Sequence, residues 1–213
     1  MRLNTAPPSV QSDVSLRDRV RQTWSPVNTV RAKSIAALRV AFGLVWVVAA
    51  WLKWQPEFQN KFLDQVTAAQ NGQPPLIHAW IGFWAGIVSV NPLLFARIEA
   101  STEAALAVLL ILGLFSNLSY VVGILLALGI WSTAEGGGGP FKAGQSTDIG
   151  TALPYALLFG VFLVISAGRY YGLDQWLTPR LGRLGFLASG RLRSEQRDNS
   201  DPAYEQTRLL RKW

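Results

Sequence analysis

The sequence predicts an all-α integral membrane protein, a four-helix transmembrane bundle with an extra interfacial or re-entrant helix on its outer face. Three observations predict it. Apolar residues gather in blocks nearly as long as a bilayer is thick, only 15% of the chain is charged against roughly 25% in soluble domains, and basic residues crowd the two ends. A spanning helix needs about 20 mostly apolar residues, because each residue rises about 1.5 Å through a hydrocarbon layer about 30 Å thick.

Residues 1–33 are polar, with Pro7, Pro8 and six basic residues against two acidic ones. Such a composition buries no core by itself and reads as a basic cytoplasmic segment. It also sets the first apolar block too far from the start for a signal peptide. The transmembrane domain is expected over residues 34–177. Its first span covers about residues 35–54, IAALRVAFGLVWVVAAWLKW, and stops before Pro56.

Residues 57–92 are ambiguous, because the apolar run between Pro75 and Pro92 is short for a span. Ile77, Trp80, Ile81, Trp84, Ile87 and Val88 recur at helical spacing, which favours a helix lying in or re-entering the interface. The second span is expected at about 93–114 and the third at about 118–134, joined by Phe115-Ser116-Asn117 as an antiparallel hairpin. The fourth is expected at about 149–167, with Pro154 near its first turns, where a missing N–H costs least. Residues 178–213 form a basic tail.

The Arg-rich ends place both termini in the cytoplasm by the positive-inside rule, in a multi-pass protein of the cell membrane. That orientation requires an even number of crossings and so argues against a fifth span at 75–92. The net charge of +7 is then a matter of topology and of anionic membrane lipid, with no role in nucleic-acid binding. Most of the nine tryptophans lie near span boundaries, where an amphipathic indole anchors; Trp54 and Trp131 also adjoin the charged outer face.

Glu99 and Glu103 stand one turn apart on a single face of the second span. A carboxylate inside a bilayer costs about 2.5–3.5 kcal/mol on insertion scales, so it faces a polar cavity, carries a proton or pairs with a cation. Buried together, the two resist double ionisation and make a proton-accepting, catalytic pair; the plainer alternative leaves Glu99 at the headgroups. Arg39, a turn inside the first span, is either a snorkelling side chain or part of a site. Lys53, at the other end of that span, is either an anchor or an anion-attracting group.

The loop EGGGGPFKAGQSTDIG, residues 135–150, is backbone-permissive at Gly136, Gly137, Gly138 and Gly139. It reads either as a capped linker or as a lid, with Lys142, Gln145, Ser146 and Thr147 around an anion and Asp148 near the start of the fourth helix. There is no cysteine, one histidine, His78, and one methionine. No haem or metal is therefore expected to be ligated by this chain alone.

In order and spacing, several motifs resemble the DoxX/DoxD family of small four-helix membrane proteins. They are LRVAFG with Arg39 and Gly43, WLKW with Lys53, EAALAVLLILGLFSN with Glu103 and Gly113, and GRYYGLDQWL with Gly168, Arg169 and Asp174. Alanine stands at 49 and 50, where the family pattern has a small glycine. The resemblance implies a membrane subunit of a thiosulfate:quinone oxidoreductase, acting with a partner subunit or as a homo-oligomer, with quinone as its redox partner. In that picture Glu99 and Glu103 are catalytic, Arg39, Lys53, Trp54, Lys142 and Asp148 bind substrate, and the glycines form the lid. The alternatives are a non-catalytic accessory subunit of a larger respiratory complex, or an anion or proton pathway in an oligomer.

Overall fold

The computed structural model describes residues 26–141 and 148–189, whose regular structure is all helical, with no strand among them. Six α-helices carry the fold: α1 Pro26–Lys53, α2 Pro56–Ala68, α3 Pro75–Ser89, α4 Pro92–Leu112, α5 Ser116–Ser132 and α6 Ala152–Val164. Each boundary has a local cause. Prolines open α2, α3 and α4 at their first turns, where no amide is missed. The Asn91 side chain accepts from Leu94 N at 3.1 Å, which caps α4. Gly113, at φ 62°, ends it in the left-handed conformation.

The differences from the expected elements also have causes. α1 starts before residue 35 because nothing after Pro26 interrupts it before Gly43; residues 26–33 thus belong to the first helix. Residues 57–92 form two helices, since the polar α2 buries Gln59, Phe62 and Val66 at helical spacing without standing out in hydropathy. α6 has 13 residues, about 20 Å, because Gly150 at φ 94° and Ser166 at φ 51° bracket it. α5 has 17 residues, and neither reaches the length of a full span alone.

Val30–Lys53 is one helix long and apolar enough to cross a membrane, and a third of its apolar window is buried in the protein. α3 and α4 pass the same test only as a pair bent by 102°. Leu44, Val47, Val48, Trp51, Val108, Leu125, Leu157 and Val164 are all exposed, so the bundle presents an apolar exterior around an apolar core.

α1 packs mainly on α4, and α5 on α6. Between the two pairs lies a core of Phe42, Trp46, Leu106, Leu110, Tyr120, Phe159 and Phe162. Phe42 meets Phe159 edge-on at 4.9 Å between centroids. Two glycines permit the close approach: Gly43 faces Leu110 and Ile111, and Gly123 lies against the Phe159 ring. The segment after α6 folds back onto α4, with Leu173 N and Asp174 N donating to Leu112 O and Gly113 O at 3.0 Å. Part of the expected tail joins this closure, because Asn117 Nδ2 donates to Phe186 O at 2.9 Å and to Ala188 O at 3.1 Å.

Gly113→Ala is expected to lower the melting temperature in detergent. Its φ disfavours a side chain and the new methyl falls on the Arg39 guanidinium, a cost of about 1–3 kcal/mol. Gly129→Ala, in α5 where an added Cβ meets nothing within 4 Å, is expected to raise stability by about 0.5–1 kcal/mol.

Candidate functional site

α1 and α4 run antiparallel: Gly43 faces Ile111, Arg39 lies against Gly113, and Lys53 lies against Glu99 and Glu103. Lys53 Nζ binds the Oε1 atoms of both carboxylates, that of Glu103 at 2.6 Å. It also sits 5.3 Å from the Phe58 ring centroid, a cation–π distance. Gln59 Nε2 donates to Lys53 O at 2.7 Å and so caps the end of α1. Three of the residues expected in a site thus form one cluster, joined by α2.

Glu103, with only 3% of its side chain exposed, borders a cavity of about 600 Å³. Trp46, Ala49, Leu52, Lys53, Phe58, Ala127, Ile130, Glu135 and Tyr155 also line it. Glu103 Oε2 and Trp46 Nε1 are buried without a hydrogen-bond partner among the described residues, a costly state unless a ligand or water completes them. The charged groups on the wall are Lys53 and Lys61 against Glu57, Glu103 and Glu135. The wall therefore has no positive surplus.

The glycine-rich loop is arranged differently from a lid over this cavity. Gly136–Gly138 form a 3-10 turn; Gly136 and Gly139 lie against the Gln73 side chain, Gly138 lies against Ile149, and Gly137 has no neighbour closing on it. None of the four lines the cavity. Glu135, just before them, does, and it accepts from Thr151 Oγ1 at 2.6 Å and Ala152 N at 3.0 Å, capping α6. Asp148, expected near that cap, accepts instead from its neighbour Ile149 N. Trp131 Nε1 fixes the same turn through Ile149 O at 2.8 Å. Trp54 is half-exposed and lies off the cavity wall. Lys142, with Gln145, Ser146 and Thr147, lies outside the described residues.

Arg39 belongs to a different place. It lies 14 residues from Lys53 on α1, about 21 Å along the axis, and is 1% exposed, so it does not snorkel. Its Nη2 donates to Tyr171 O at 3.4 Å, and its guanidinium lies against Gly113 and Gly172. Asp174, fully buried beside it, accepts Ser116 N and Ser189 N at 2.9 Å each through Oδ2. Tyr120, Ser116 and Gly168 complete this second polar cluster.

Sequence reasoning missed Trp46, Tyr155 and Glu135 as parts of the cavity, and Gln59 as the cap on Lys53 O. A signal existed for Trp46, which is seven residues before Lys53 and therefore on the same helical face. None existed for Glu135 or Tyr155, which only tertiary packing brings to the wall. No family model, curated protein or solved structure compared with the chain matches it.

Lys53→Met is expected to destabilise the protein by about 3–5 kcal/mol, because it leaves two carboxylates without their cation. The triple variant Lys53→Met, Glu99→Gln, Glu103→Gln is expected to recover most of that loss in thermal unfolding. In the second cluster, Asp174→Ala is expected to cost about 3–5 kcal/mol by stranding two amides and the Arg39 charge. Limited proteolysis should show faster cutting near residues 178–189 in that variant.

Proposed function

We propose that the chain is a multi-pass membrane subunit of a quinone-linked oxidoreductase, and that its cavity beside Lys53, Glu99 and Glu103 receives the quinone headgroup. The observation that carries this reading is the cavity wall. It pairs an unpartnered indole N–H and an unpartnered carboxylate oxygen with aromatic and aliphatic surface, and its volume falls within the roughly 300–1,000 Å³ of small-molecule sites. A headgroup of that chemistry offers ring carbonyls to a donor such as Trp46 and a face to Phe58 and Tyr155.

The apolar exterior supports the membrane setting. α1 crosses, α3 enters from the outer face and turns by 102° into α4, and α5 and α6 complete the crossing with the turns that flank them. This is a four-helix bundle with both termini cytoplasmic, as the charge asymmetry requires. Lys53 and the carboxylates then lie toward the outer face.

Quinone accepts two electrons and two protons to become quinol. The residues of this chain orient the headgroup, exclude water and hold a proton at Glu103. The resemblance to DoxX/DoxD proteins supports a small reduced sulfur anion such as thiosulfate as the electron source. Lys53 is a poor seat for such an anion, because two carboxylates already offset its charge. The anion is thus oxidised on a partner subunit at the extracytoplasmic face, which passes the electrons on.

A second reading is a non-catalytic accessory subunit that orders quinone and lipid for a larger redox complex. The chain's lack of cysteine favours it, since no thiol couple is available. Full activity of the complex with Glu103→Gln would select this reading.

The test is direct binding. Equilibrium dialysis of a short-tailed quinone against protein in nanodiscs should show saturable binding. Trp46→Phe should weaken it roughly three- to tenfold, the worth of one lost hydrogen bond. Failure of the wild-type protein to bind any quinone overturns the reading.

A further inference from the structure

Two cavities flank the Lys53 cluster, and each carboxylate borders only one of them. Glu103 lines the larger. Glu99 lines a smaller one of about 250 Å³ between α2, α3, α4 and α5, walled mainly by apolar side chains such as Phe62 and Trp84, with Thr102 and Thr133 as its other polar groups. Lys53 holds both carboxylates through their Oε1 atoms. The cluster is a partition.

We propose that it is a proton hand-off site, in which Glu99 takes protons from the smaller cavity and Glu103 delivers them into the larger. One ammonium and two carboxylates leave a surplus negative charge, which is costly in an apolar bundle. The other charged groups across the larger cavity do not offset it. Lys61 pairs with Glu57 at 3.0 Å, and Glu135 is committed to Thr151 and Ala152. One bound proton removes the surplus, and the unpartnered, buried Oε2 of Glu103 is where it is presented.

The transfer balances without an added reactant. Glu103 gives its Oε2 proton to a ligand in the larger cavity and becomes a carboxylate. Glu99, whose side chain is 17% exposed, next takes a proton from water at the smaller cavity. Lys53 then passes one proton to Glu103 Oε1 and takes the one that Glu99 gained, so one N–H bond breaks as another forms, the ammonium is restored and Glu99 returns to a carboxylate. A half-turn of the Glu103 carboxyl resets the site. The quinone reading supplies only the final proton acceptor.

Infrared spectra of the protein in lipid nanodiscs, in H2O and D2O, test this without any quinone. The wild-type protein should show a protonated-carboxyl stretch that shifts in D2O. Glu99→Gln and Glu103→Gln should each lose it, because each removes the surplus charge, while Asp64→Asn, at an exposed position outside the cluster, should keep it. Gly129→Phe, which fills the smaller cavity, should slow the D2O shift. Absence of the band in the wild type, its survival in either glutamine variant, or an unslowed shift in Gly129→Phe would overturn the proposal. A protein that shows the band and its loss but binds no quinone would sink the quinone reading alone.

Discussion

The fold depends on how a lysine at the end of an apolar helix is compensated. Lys53 closes α1 with its side chain only 17% exposed, and the compensation comes from two carboxylates one turn apart on α4. That contact bridges the antiparallel α1 and α4 and is one of the contacts that hold their register. With Lys53 held at Glu99 and Glu103, Gly43 falls against Ile111, where only a residue without a side chain fits, and Arg39 reaches the left-handed turn at Gly113. A shift of α4 by one residue would rotate both carboxylates by about 100° away from the lysine.

The same register separates two polar layers by an aromatic one. Near one end of α1 lie Lys53, its carboxylates and the two cavities. About 21 Å along the helix lie Arg39, Tyr120, Ser116 and Asp174, which tie α1, the α4–α5 turn and the segment after α6 into one closure. Phe42, Phe159 and Phe162 fill the space between. The closure is structural: its charged members are almost wholly buried and bonded to backbone. The cavities lie in the other layer, where α2 and the turn around Glu135 complete the walls. The two cavities of the Lys53 cluster and the buried closure around Arg39 thus lie at opposite ends of the aromatic layer.

Much of the helical layout was legible in the chain, because apolar blocks, prolines and Asn91 act locally on the backbone. The second and third spans came within about two residues of α4 and α5 for that reason. The division of residues 57–92 into two helices was less legible, since α2 has a near-neutral hydropathy and is held by its three buried contacts. Glu99 and Glu103 were legible as a pair from their spacing, and Lys53 as a charge at a helix end. For Arg39 the sequence admits both a snorkelling side chain and a site residue, because its length permits snorkelling. The burial that prevents this depends on Gly113, Gly172 and Asp174, which lie more than seventy residues away in the chain. The glycine run suggested a lid because glycine permits many conformations; packing on Gln73 and capping by Glu135 select one of them.

By itself, the sequence determined the all-helical class, the positions of most helix ends and the presence of a charged pair that needs a partner. These follow from periodicity, backbone restrictions and the cost of burying charge, which act within one or two turns. Only the tertiary structure decided that Lys53 binds both carboxylates at once, that Glu99 and Glu103 border different cavities, and that Trp46, Glu135 and Tyr155 complete the larger wall. Those outcomes depend on the register between helices distant in the chain. That register is settled by the joint packing of glycines, aromatic rings and a shared charge.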